Sequence, residues 1–461
     1  MAREGTVFVC NNCGFESRKW LGRCPVCQEW GSMAQVQESR ESADDDAVTH
    51  QRLNPGGVQV PTPLADIDDR DLPRMSTGIP EFDRVLGGGL VPGSVVLLAG
   101  DPGVGKSTLV LQALHAMAKA GRAVLYVSGE ESAAQIKGRA RRLGFEDSPV
   151  SVLMENDLEA ILRHAREASA AVLVLDSIQT MMDPGLDSAP GSLGQVRQVG
   201  HRLAAFAKTG GPAVVIIGHV TKEGAVAGPK VLEHMVDAVL YFEGEGSYAF
   251  RMVRAYKNRF GSTNEVGVFE MTGNGMEAVE NPSGCFLSHR PMQAAGSSVI
   301  AAMAGNRPIL LEVQALLAAT PFSAPRRTTI GLEPQRVAML LAVMAKHGGI
   351  DSGGLDVYVN VAGGFKVRDP ATDLGICAAI ASSFINRPVP DDLVLVGEVG
   401  LAGEVRGAPF MGQRLAEAAR LGFTRALAPS TGVKADDPGL KGMTIRPITS
   451  VASLTKDLFR P

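Results

Sequence analysis

The chain has 461 residues, of which 45% are hydrophobic and 20% charged, and a net charge of −4. That length allows about three domains with sizeable cores, and the composition is that of a globular protein, not a disordered or disulfide-rich one. The near-neutral balance excludes a chain-wide electrostatic footprint for nucleic acid but leaves room for a local basic surface; no apolar run approaches the ~20 residues that span a bilayer and the first residues lack a signal-peptide layout, so a cytoplasmic protein without a membrane partner is expected.

Four of the six cysteines fall in residues 1–33, as Cys10-x-x-Cys13 and Cys24-x-x-Cys27. Two such knuckles in a chain expected in a reducing compartment predict tetrahedral Zn2+ on four thiolates, with a redox pair as the alternative. Gly14 and Pro25 suit the tight turns, and Trp20 and Trp30 are expected to pack where so small a unit lacks a core. Cys285 and Cys377 stand alone, most simply as buried apolar residues. Residues 34–63 turn polar, acidic at Asp44, Asp45 and Asp46, and rich in Gly and Pro, which predicts a flexible linker.

From 64 to 285 apolar strands alternate with helical stretches, at 94–99, 123–127, 171–175 and 213–217, which predicts a largely parallel α/β sheet. The segments 239–242 and 248–256 follow as antiparallel strands. Directly after the first strand stands Gly100-Asp101-Pro102-Gly103-Val104-Gly105-Lys106-Ser107-Thr108. A triphosphate needs many close donors and a cation. The glycines let backbone N–H groups face the phosphates, Lys106 reaches the β and γ oxygens, Ser107 ligates Mg2+, and a helix starting near Thr108 points its positive end at the anion. ATP and Mg2+ are the expected ligands.

The run from Ala171 to Asp176 reads as a buried parallel strand whose terminal acid emerges at the sheet's C-terminal edge, which makes Asp176 the candidate to hold Mg2+ through water. Glu130 and Glu131, at the end of the strand 123–127, are candidates to orient the attacking water, or simply complement a helix dipole. Lys137, Arg139, Arg141 and Arg142 form a local basic cluster, more often a solvated helix face. From 286 to 461, strands (355–361, 393–396) mix with Ala-rich helices (334–346, 374–385, 413–420).

Cys10 to Trp30 reads C-x-x-C-G-F-E-S-R-K-W-L-G-R-C-P-V-C-Q-E-W, and the core carries Lys257-Asn258-Arg259-Phe260-Gly261. With the phosphate loop and the third unit in the same order, the chain resembles the bacterial RadA (Sms) family of DNA-repair ATPases over nearly its whole length. The resemblance implies an N-terminal zinc finger, a RecA-like P-loop ATPase core and a C-terminal Lon-protease-like α+β domain. It also implies a homohexameric ring that drives branch migration of recombination intermediates by helicase-like movement on single-stranded DNA, beside a RecA-type recombinase, at stalled forks and strand breaks.

Carried over by residue, the resemblance makes Glu130 the catalytic glutamate, with Glu131 the fallback. Lys257 and Arg259 become cations facing a neighbouring subunit's γ-phosphate and contacting DNA. His219 is either a γ-phosphate sensor or a structural histidine. The stretch 222–230 resembles a pore loop, with Lys222 and Lys230 as its DNA-phosphate contacts; it has no aromatic residue, so stacking is not its means. In the third unit Asp373 stands where Lon-type proteolysis needs serine, and Arg414 where it needs lysine, so proteolysis is not expected. The two are expected to pair with each other, and Lys346, Lys366 and Arg368 are candidate duplex-DNA contacts.

Overall fold

The computed structural model describes residues 6–10, 16–17, 19–23, 25, 30–31, 33–37, 63, 73–219, 229–244, 249–288, 290–322, 324–429, 431 and 438–459. The chain divides into two compact units, one of residues 1–246 and 251–278, the other of 247–250 and 279–461. The boundary lies at 278/279 instead of 285/286, because the helix Pro282–Leu287 is tied into the second unit: Ser283 Oγ accepts from the Leu310 N–H and donates to Glu417.

At the N-terminus β1 (Thr6–Cys10) lies between β2 (Glu16–Ser17) and β3 (Met33–Gln37) in an antiparallel sheet. β3 thus takes residues 34–37 out of the expected linker. Trp20 and Trp30 gather beside Gly22, where a Cβ would meet their rings at 3.5 and 3.8 Å, and they are 61% and 74% exposed.

The core of the first unit is a nine-stranded sheet of β4 (Val95–Gly100), β5 (Val124–Ser128), β6 (Ser151–Met154), β7 (Val172–Asp176), β8 (Ala213–His219), β9 (Ala238–Glu243), β10 (Phe250–Asn258), β11 (Val266–Thr272) and β12 (Gly275–Ala278). Its order is β12-β11-β10-β9-β4-β8-β7-β5-β6. β4 to β8 pair in parallel: β4, β5, β7 and β8 are continuous apolar runs buried on both faces, while β6, at the sheet edge, is largely exposed. β9 departs from the expected antiparallel tail: it runs parallel to β4, and only its next partner, β10, reverses direction.

Alternation along β4 builds both cores, with Val96 and Leu98 in one cluster and Val95, Leu97 and Ala99 in the other. The covering helices start on ordinary caps: Ser132 and Gln135 form a capping box for α3 (Ala133–Arg142), and Asp157 caps α4 (Leu158–Glu167). They follow α1 (Pro80–Leu86) and α2 (Lys106–Lys119), and precede α5 (Leu193–Lys208) and α6 (Pro229–Leu232).

The second unit is α+β. A seven-stranded mixed sheet is centred on the antiparallel pair Ser297–Ala304 and Arg307–Ala319, and the helices Pro334–His347, Asp373–Ile385 and Met411–Arg420 accompany it. Cys377 is buried there as expected; Cys285 is exposed, because it lies on the outer side of the short helix that Ser283 and Phe286 anchor.

Candidate active site

The phosphate loop leaves β4 at its C-terminal edge. Gly103 and Gly105 adopt φ of 75° and 114°, which side chains disfavour. A Cβ on Gly105 would meet Met271 Cε at 2.8 Å, and one on Gly100 the Phe242 carbonyl oxygen at 2.6 Å. Asp101, Pro102 and Gly103 are exposed, and Val104 is buried with its carbonyl held by Arg251 Nε at 3.3 Å. α2 begins at Lys106, so Lys106, Ser107 and Thr108 form its first turn. That turn has no acidic residue and no side-chain cap, so its N–H groups are free to meet an anion.

Lys106 is buried, and its Nζ donates to the carbonyls of Gly100 at 2.8 Å and Asp101 at 2.9 Å. Burial lowers its pKa to about 8, against the opposing pull of Asp176, Asp101 and Glu130. It also lies 3.2 Å from His219 Nδ1. An ammonium can only donate, so Nδ1 is the acceptor and Nε2 carries the hydrogen, 3.6 Å from Glu130 Oε1. Burial and then Lys106 lower the His219 pKa, outweighing Glu130, so the ring is neutral at pH 7.

The adjacent glutamates part company. Glu130 accepts from Ser177 Oγ and faces His219, with a side chain 41% exposed. Glu131 is bound to Arg139 and its N–H is held by Ser128 Oγ at 3.0 Å. The carboxylate turned toward Lys106 and His219 is therefore Glu130. Asp176 ends β7, 6% exposed, and one of its oxygens accepts from the Tyr126 hydroxyl, which is itself fully buried. Tyr126, Ser177 and Arg251 escaped the sequence reading. Tyr126 could have been found, as a hydroxyl inside the apolar run 124–127. Gln179 bridges onward, with Nε2 3.3 Å from the His219 carbonyl.

The geometry fits a nucleotide with Mg2+. Backbone N–H groups and Lys106 would hold the phosphates, Ser107 and Asp176 would hold the metal, and Glu130 is positioned to accept a proton from, or orient, an attacking water.

Lys257 and Arg259 lie elsewhere in the core. β9 pairs Phe242 with Gly100 and Ala238 with Val96, and β10 sets Lys257 opposite Val239 and Asn258 opposite Ala238. The Arg259 N–H then bonds to the Asp237 carbonyl, and the Asp237 N–H to that of Val95. Arg259 is thus about five residues, roughly 17 Å, down the sheet from the phosphate loop. Lys257 Nζ ends on the carbonyls of Glu233 at 2.7 Å and Val236 at 2.7 Å, and Arg259 reaches Asp237 at 3.3 Å with its side chain 55% exposed. Asn258 holds the Val85 carbonyl at 3.2 Å, and a Cβ on Gly261 would come 2.9 Å from Gly87 Cα. Most of the motif braces the fold; Arg259 is its exposed cation.

Lys222 lies outside the described residues, while Lys230 is exposed on α6. Within the basic cluster Arg141 pairs with Glu146 on the solvated face, 69% exposed, while Arg139 turns inward to Glu131, 17% exposed. In the second unit the expected pair of Asp373 with Arg414 is not formed. Asp373 binds Arg336, and its pKa is raised by burial despite that partner and the Val399 N–H; Arg414 binds Asp369 and the Ala301 carbonyl at 2.6 Å. Two other elements supply partners nearer to each charge. Lys346, Lys366 and Arg368 are exposed.

In the N-terminal sheet Cys10 closes β1, but no cysteine side chain there is described, and Cys13, Cys24 and Cys27 lie outside the described residues. The Arg23–Trp30 bridge and the Gly31 N–H to Gly22 carbonyl bond of 2.9 Å flank the second Cys-x-x-Cys. Four thiolates suit Zn2+.

Residues 63–225 match the model of an AAA domain, and residues 8–35 that of a rubredoxin metal binding domain. A KaiC-like protein from Pyrococcus horikoshii OT3 aligns with 45% of this chain and 99% of its own, at 23% identity and a TM-score of 0.38. The DNA repair protein RadA of Halalkalibacterium halodurans is 48% identical over 96% of this chain and 95% of its own. That of Bacillus subtilis is 47% identical over 94% of each, and that of Salmonella typhimurium 45% over 98% of each. With an ATPase domain, a metal-binding ribbon and such identity from end to end, the chain belongs to the RadA family of DNA repair proteins.

Proposed function

We propose that the chain is a DNA-dependent ATPase that assembles as a ring, a homohexamer by resemblance, and drives branch migration of recombination intermediates by helicase-like movement on single-stranded DNA. The observation that carries the ring is the separation of Arg259 from the phosphate loop of its own chain. An exposed arginine on the opposite edge of the sheet can complete a hydrolytic site only on another copy, where it stabilises charge in the transition state. Each subunit then presents two edges, one holding ATP and Mg2+ and one offering Arg259, and a head-to-tail ring satisfies both.

DNA would be held by the stretch 222–230, which begins three residues after His219 and so connects the chain's nucleotide contacts to its DNA contacts, with Lys222 and Lys230 on phosphates. The ribbon's cysteines would hold structural Zn2+ and serve engagement of DNA or of a RecA-type recombinase, in the cytoplasm. The C-terminal unit has no serine at 373 and no lysine at 414, so its proposed role is scaffold and duplex-DNA surface, not proteolysis. ATP turnover measured with and without single-stranded DNA tests the reading. Several-fold stimulation is expected, weakening as salt rises; turnover indifferent to DNA at low salt would leave a nucleotide switch instead.

A further inference from the structure

Tyr256 stands out on the Arg259 edge of the core. Pairing between β10 and β9 passes from Ala255 opposite Leu240 to Lys257 opposite Val239, so Tyr256 is the extra residue of a bulge. Bulges re-aim side chains, and this one turns a tyrosine into the open, 63% exposed. The ring is nonetheless held. Tyr241 meets it edge-on, with centroids 5.7 Å apart and planes at 88°, and Tyr241 is itself anchored through its hydroxyl to Glu233 at 2.7 Å. Lys257, the next residue, sits on the Glu233 carbonyl. The result is a braced aromatic ring with an uncovered face, beside a cation and three residues from Arg259.

We infer that Tyr256 stacks on the base of the nucleotide held by the neighbouring copy's phosphate loop, an assignment that rests on Arg259 serving that site in trans. Three residues of strand span about 10 Å, a separation on the scale of that between the terminal phosphate and the base of an extended nucleotide. The exposed residues of the phosphate loop, Asp101, Pro102 and Gly103, offer no aromatic ring of their own. Stacking is tolerant of base identity, so the ligand class is any nucleoside triphosphate, purines before pyrimidines for their larger face.

The test uses the full chain, with steady-state MgATP hydrolysis and affinity for an oligothymidine measured in parallel on Tyr256→Ala, Tyr256→Phe and Arg259→Ala. Tyr256→Ala should raise KM for ATP roughly tenfold with kcat changed less than about twofold, while Tyr256→Phe keeps the wild-type KM and DNA affinity is unmoved in both. Arg259→Ala should instead lower kcat. An unchanged KM in Tyr256→Ala, or a loss that appears only in oligothymidine affinity, overturns the assignment while a fallen kcat in Arg259→Ala leaves the shared site standing. If Arg259→Ala also turns over normally, the shared site and the base platform fall together.

Discussion

An ammonium that burial holds near pKa 8 is half neutral at that pH, and a triphosphate arriving beside it restores the charge. Lys106 should therefore take up roughly half a proton when ATP binds at pH 8, and almost none at pH 6.5, where it is already protonated. By linkage, affinity should fall as pH rises through 8. Calorimetry in two buffers of different ionisation enthalpy reads the uptake directly, and Lys106→Ala, which should also abolish turnover, should erase it. Equal heats in both buffers at pH 8 would mean that the lysine is charged before ATP arrives. The two glutamates separate by a different measurement. Glu130→Gln should lower kcat by 100-fold or more with ATP still bound, because its carboxylate faces His219 and Ser177. Glu131→Gln, which loosens Arg139, should leave most of kcat and lower the thermal midpoint. The reverse pattern would reassign the base.

At the scale of elements, the C-terminal unit shows how buried charges find their partners. Arg414, 2% exposed, is satisfied by Asp369 and by the carbonyls of Ala301 and Pro409. Removing only the acid leaves a buried guanidinium, so Asp369→Ala should destabilise the unit by about 3 kcal/mol, seen as an earlier unfolding transition of the full chain. A midpoint within one degree of wild type would mean that Arg414 reaches solvent. These partners were illegible beforehand, since Asp373 and Arg336 are set together by a helix 37 residues away, which no local spacing announces. The phosphate loop was legible because one contiguous stretch must supply every phosphate contact. Asp176 was legible because an apolar strand ending in an acid has few other meanings after such a loop. The choice between Glu130 and Glu131 was not, since neighbours on a turn diverge by side-chain direction alone. The long hairpin of residues 297–319 was missed although Gly305-Asn306 at its turn is a hairpin signal, because its Ala-rich strands lack the usual alternation.

For the whole molecule, the decisive fact is the polarity of one sheet. Parallel pairing of β9 with β4 fixes the phosphate loop at one edge, and the reversal into β10 returns the chain to the other edge at Arg259. A subunit so built cannot bring its own Arg259 to its own nucleotide without dismantling five residues of sheet. Two different lesions can then compensate. A Glu130→Gln subunit still donates an intact Arg259, and an Arg259→Ala subunit still supplies an intact Glu130. In rings mixed at random in equal amounts, about a quarter of the interfaces join the two intact halves, so each inactive variant alone should show little turnover and the mixture roughly a quarter of the wild-type rate per subunit. The measurement is ATP turnover on co-assembled subunits, with mixing verified by a mass tag on one variant. Turnover in verified mixed rings no higher than in either variant alone would mean that both residues act on the same copy, which the register of β9 and β10 forbids without refolding, and the shared-site ring would have to be abandoned.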